Sequence, residues 1–225
     1  MCARRRLGQF LIACCVLPLA AWAQAADPAT LTFSLDFPHS DPDHYSVSVR
    51  SDGRATYESN GKVSSDSDDR EDYKTEFVVS EATRTEIFDL AARAHYFSGK
   101  VDSGNKKLAF TGAKKLTYSD SRHQSSADFN FSPQPAIQQL TNLFESLSAT
   151  LEFGRRLAYE HRYQKLALDE ELKRMEAQAT AGELNELQAV RPILQAIYDD
   201  ASVINVVRAR AQRIMEMEKA GASVR

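Results

Sequence analysis

The chain has 225 residues, with 28 Lys+Arg against 31 Asp+Glu and a net charge of −3. That acidic balance argues against a nucleic-acid-binding role. Its cysteines, Cys2, Cys14 and Cys15, all sit at the extreme N-terminus, so the rest of the chain has no disulfide to draw on and must be held by a packed core.

The first 25 residues read as a secretory signal: basic Arg4, Arg5 and Arg6, an apolar run from Phe10 to Leu19, and small residues that place a cut near Ala23 or Ala25. The run is shorter than the roughly 20 apolar residues that cross a bilayer, and no later segment reads as transmembrane. Leu11-Ile12-Ala13-Cys14 offers a lipid-anchoring alternative at Cys14, but the apolar run continues past it. The expected address is therefore periplasmic or secreted, and the exported chain carries a net charge of −6.

Residues 29–133 alternate apolar with polar side chains, the period of half-buried strands. Leu31, Phe33, Leu35 and Phe37 face one way in the first strand, and Tyr45, Val47 and Val49 in the second. Ser51-Asp52-Gly53 then turns the chain into a third strand with Ala55 and Tyr57. Lys62 to Asp72 reads as a mobile acidic loop, and Tyr73 to Val79 as a strand. Ser80 N-caps a helix to about Ala94 with Ile87, Leu90, Ala91 and Ala94 inward, after which Tyr96 and Phe97 plug the core. Strands are expected at about 107–111, 114–119 and 125–131. The basic pairs Lys106-Lys107 and Lys114-Lys115 flank them as solvated edges.

From Ser132-Pro133 the period becomes helical, and residues 134–220 predict a long hairpin. Ile137, Leu140, Phe144, Leu147 and Leu151 form a heptad seam. The stripe drifts after Gly154 to Leu157, Tyr159, Tyr163, Leu166, Leu172 and Met175, which predicts one long first arm, bent at the glycine. Thr180 and Glu183 have the spacing of a capping box. The second arm carries Leu187, Val190, Leu194, Ile197, Ala201 and Ile204, continuing to Ile214, with a kink or break at Pro192. The fold class is thus α+β: an antiparallel sheet with one packed helix, then a helical hairpin. A continuous arm of about 40 residues would span roughly 60 Å, leaving apolar surface for a protein partner or a second copy.

Candidate chemistry is sparse. His39, Asp41, Asp43 and His44 are the densest set of metal-ligand types, and motivate the alternative of a metal-dependent hydrolase or divalent-ion-binding protein. No second ligand segment with suitable spacing accompanies them, so a polar turn is the stronger reading. Asp66, Asp68, Asp69, Glu71 and Asp72 lack the donor and glycine positions of a calcium loop. Gly-x-Ser-x-Gly and phosphate-cradling patterns are absent, and no cofactor is implied. The chain therefore reads as a non-catalytic interaction module, with Tyr159, Tyr163, Leu187, Leu194 and Ile197 as partner-binding candidates.

The opening strand, the run from Tyr45 through Val47, Val49 and Ser51 to Gly53 with Tyr57 following, and the helix ending at Tyr96-Phe97 resemble an uncharacterised family of small bacterial envelope domains, a domain of unknown function. The resemblance covers about Leu31 to Ser148 and implies an envelope location but no activity. Members often carry cysteines before the Tyr-rich strand, where this chain has Pro38 to His44 without any, so no redox role follows.

Overall fold

A computed structural model describes residues 27–64 and 66–224, apart from the side chains of 219–224. The expected signal peptide, its cut sites and Cys14 lie outside the described residues. The fold is α+β: six antiparallel strands, β1 (Thr30–Asp36), β2 (His44–Arg50), β3 (Arg54–Ser59), β4 (Tyr73–Val78), β5 (Ala113–Ser119) and β6 (Gln124–Phe129), form one sheet in the order β4-β3-β2-β1-β5-β6. Strands β1 to β4 are a meander of local pairings, whereas β5 crosses over to pair with the far edge of β1.

The alternation read from sequence is the burial pattern observed. Phe33 lies opposite Val47 on β2 and Leu116 on β5, and all three are buried together with Leu31, Tyr45, Val49 and Tyr57. The other face carries half-exposed hydroxyls, and Thr32 and Ser48 hydrogen-bond across strands at 2.8 Å.

Helix α1 (Glu81–Arg93) is capped as expected: the Ser80 hydroxyl accepts from the Thr83 amide at 3.2 Å, and Ile87, Leu90 and Ala91 are buried. The chain leaves α1 through three consecutive left-handed residues, His95, Tyr96 and Phe97. This turn drives Phe97 into the core, as expected, but leaves Tyr96 half-exposed, stacked on His123 at 4.4 Å.

The expected strand at 107–111 is not formed. Those residues lie in an irregular loop whose polar backbone groups pair with side chains instead of a ladder: Asn130 accepts from the Thr111 amide and donates to the Ala109 carbonyl, both at 2.9 Å. The acidic segment also departs from expectation. Lys62 and Arg70 form a β-bridge, Lys62 pairs with Asp68 at 2.6 Å, and Val63 and Ser64 are buried, so the segment is a small folded-back loop rather than a detached one.

After the sheet come α2 (Pro135–Tyr163), α3 (Leu168–Thr180), α4 (Arg191–Asp199) and α5 (Asn205–Val224). The seam Ile137, Leu140, Phe144, Leu147 and Leu151 is buried, with Phe144 stacked on Phe33 at 5.4 Å, so it faces the sheet. The arm of about 40 residues is instead two helices. Helix α2 runs unbroken through Gly154 and ends at Tyr163, because Leu168, Leu172 and Met175 reach the core only if the chain turns there.

At Gly154 a Cβ would collide with the Val190 side chain, so the glycine permits close approach of the 187–190 turn rather than a bend. The Thr180–Glu183 capping box is not made. Thr180 closes α3, donating to the Glu176 carbonyl at 2.7 Å, and Gly182 at φ 74° terminates the helix. Pro192 occupies the first turn of α4, where its missing amide costs nothing, so it starts a helix rather than kinking one. One apolar core joins the sheet to all five helices. No helix among the described residues is long and apolar enough to cross a membrane.

Candidate interaction surface

The 39–44 segment is an ordered polar turn whose donors are directed apart. His44 Nδ1 lies 2.6 Å from Asp36, Asp41 accepts from the Lys62 amide at 2.8 Å, and Asp43 faces Arg70 at 3.5 Å. His39 is exposed at φ 73°. Among the described residues no three His, Cys, Asp or Glu side chains are grouped as a metal site. The expected ligand set is therefore not brought together, because each carboxylate is committed to a neighbouring loop.

The five partner-binding candidates divide. Leu194 and Ile197 are buried, with Val190, in the chain's own core, and Leu187 is half-buried against it. They hold α4 in place and do not form a free face, a correction that follows from the turn at Tyr163 and the break before Asn205. Tyr159 and Tyr163 lie at the C-terminal end of α2 with rings 5.1 Å apart; Tyr163 is exposed, with the Arg162 guanidinium 5.1 Å from its ring.

Two connections meet at this end of the helical layer. Asp200, between α4 and α5, accepts from Lys165, between α2 and α3, at 2.6 Å, and contacts His161 Nε2 at 2.9 Å. Its second oxygen takes the Ser202 amide at 2.9 Å and the Ser202 hydroxyl at 2.7 Å. These donors hold the Asp200 carboxyl well below the usual carboxylate range, the Lys165 hydrogen bond most strongly.

Ser, Lys, His and Asp side chains thus converge on one carboxylate. The Ser202 hydroxyl donates to Asp200, the Lys165 ammonium donates to both Asp200 and Ser202, and His161 contacts Asp200 rather than the hydroxyl. The clasp displays its apolar neighbours. Leu166, beside Lys165, is 96% exposed, and Ile204 and Val206, just beyond Ser202, are also exposed. The sequence places Leu166 and Ile204 on buried stripes; only the breaks in both arms put them outside.

Beneath this end, α2 carries charges on a face that is otherwise core. Glu152 accepts from the hydroxyls of Tyr57 at 2.8 Å and Ser59 at 2.6 Å, and pairs with Arg155 at 2.8 Å. Arg156 pairs with Glu171 of α3 at 2.6 Å, and Arg174 also donates to Glu171. Burial and the Glu152 charge raise the Tyr57 phenol far above its ordinary value, so it remains a donor.

Glu160 is buried with both carboxyl oxygens unpartnered; burial, helped by Glu171 and opposed by Arg156 and Arg174, pushes it up to about 7. Alongside runs a cleft of 340 Å³ bounded by Tyr45, Glu145, Ser148, Glu152, Arg156 and Arg174, among others. The available sequence signal was Glu152, Arg155, Arg156 and Glu160 recurring at helical spacing beside Leu151 and Leu157.

No protein-family model matches the chain, and no curated protein matches its sequence.

Proposed function

We propose that the chain is an exported envelope protein that works without catalysis, docking a second copy of itself through the end of its helical layer. The observation that carries this reading is the display of Tyr163, Leu166, Ile204 and Val206 in the open while the neighbouring connections are fastened by Asp200. Apolar side chains held rigidly in solvent lose little conformational entropy on association and gain from burial.

Arg162 and Asp199 supply charge of both signs near this end, as a self-complementary twofold contact requires. The signal-like leader supports the envelope address, and the Ser202 and Lys165 hydrogen bonds support a structural role for the clasp.

The test is light scattering across a concentration series on the chain from Ala26 to Arg225, with Leu166→Asp and Ile204→Asp beside it. The expected result is a mass that rises toward the dimer with concentration and a dissociation constant weakened at least about tenfold in each variant. A monomer at every concentration, or a dimer indifferent to both substitutions, overturns the proposal.

A further inference from the structure

The irregular loop between Phe97 and β5 bears the sequence's most concentrated run of lysine, and it is firmly built. Asp102 accepts the Gly104 amide at 2.6 Å and the Asn130 amide at 2.9 Å, Ser103 donates to the Phe131 carbonyl at 2.9 Å, and Asn130 holds Thr111 and Ala109. With its backbone satisfied, the loop holds Phe110 58% exposed, its ring edge-on to Phe37 at 5.9 Å, with Leu108 and Phe131 also exposed.

Lys100, Lys106 and Lys107 are exposed, and the ion pairs that lysines form among the described residues belong to Lys62, Lys74, Lys115, Lys165 and Lys173. The loop's carboxylate, Asp102, is turned onto backbone amides, with the Lys100 charge nearby, and forms no ion pair with Lys106 or Lys107.

We infer that this loop and the adjoining Phe131 form a face for an anionic phospholipid surface. Unpaired lysines beside exposed aromatic and aliphatic side chains are what the headgroup region takes: the ammonium groups meet lipid phosphate, and the rings enter the boundary between headgroup and acyl chain. Each of these side chains gains separately on entering a bilayer, and the exposed lysines around them match a surface that carries lipid phosphate. The inference concerns a surface distinct from the Asp200 end and holds whether or not the chain self-associates.

The test is co-sedimentation of the chain from Ala26 to Arg225 with vesicles of phosphatidylethanolamine containing phosphatidylglycerol, and with purely zwitterionic phosphatidylcholine vesicles. Binding to the anionic vesicles alone, weakened by salt, is expected. The double substitution Lys106→Ala/Lys107→Ala should lower partitioning about 25-fold, near fivefold per lysine. Phe110→Ser and Leu108→Ser should each weaken it, and two independent positions guard against one variant misfolding. Leu166→Asp should leave it unchanged. Equal binding to both vesicle types, absence of binding, or loss of binding on Leu166→Asp in place of the loop variants overturns the inference.

Discussion

The carboxylate of Glu186 holds a helix N-cap that lies 106 residues earlier: it accepts the Ser80 backbone amide and the Ser80 hydroxyl, each at 2.7 Å. The Thr83 hydroxyl adds a third bond at 2.5 Å, and Gln188 also donates to the carboxylate. An anion at a helix N-terminus satisfies amides that have no intrahelical partner and complements the helix dipole. Glu186→Ala should cost about 2 to 3 kcal/mol in urea unfolding, since it leaves buried donors unpaired, and Glu186→Gln should recover part of that loss. An alanine variant as stable as the parent would show that water satisfies these groups equally well.

Gly154 lets the 187–190 turn lie directly on α2. Gly154→Ala should destabilise the chain by about 1 to 3 kcal/mol through overpacking, although alanine is the better helix former. Combining it with Val190→Ala should return part of the loss relative to Val190→Ala alone, because the collision is with that side chain. Additive costs in the double-mutant cycle would place the strain elsewhere.

The buried carboxyl of Glu160 makes stability depend on pH. Its folded value is raised to about 7 from an ordinary 4.5. Between those values the folded chain holds a proton that the unfolded chain has lost. This group's contribution to stability therefore falls as pH rises through the window and stays lower above it. Glu160→Gln, neutral at every pH, should be more stable than the parent at pH 8 by about 1 kcal/mol or more, and close to it at pH 4. Thermal melts at the two pH values check this; a glutamine variant less stable at pH 8 would mean that the carboxylate is favourably solvated there.

With Asp41, Asp43 and His44 each engaged by protein groups, chelation should leave the molecule unchanged. Melting temperatures with and without EDTA should coincide. A fall on chelation, reversed by adding back one divalent ion, would restore the metal-binding reading of this turn.

The strand face and the start of α1 were legible because burial there follows local period: Leu31, Phe33, Val47 and Ile87 fall inside by alternation or helical spacing, and Ser80 caps as its side chain dictates. The connections were not legible. No glycine or proline marks the turn after Tyr163, and Pro192 reads equally as a breaker or as a first-turn residue. The first arm therefore reads as continuous and the second as interrupted at Pro192 rather than after Asp199, so Leu166 and Ile204 are assigned inward. The Glu186 cap and the Tyr57–Glu152 bond join residues 90 or more positions apart, a relation that no local pattern encodes. The 107–111 segment departs for a related reason: its alternation is real, but its backbone groups pair with the Asn130 side chain in place of a strand.

The placement of β1 between β2 and β5 governs the order in which the fold closes. Its pairing with β2 needs only a short connection, and β2, β3 and β4 follow by local hairpins. Its other edge has no mate until the chain has been delivered through Ser119. Until then the meander presents an open, ladder-ready rim, the geometry most prone to recruiting a foreign strand. A chain that folds from its N-terminus therefore has a defined interval of vulnerability at this edge, which ends when β5 docks. Folding assistance or proteolytic surveillance would act on this protein in that interval rather than on the finished sheet.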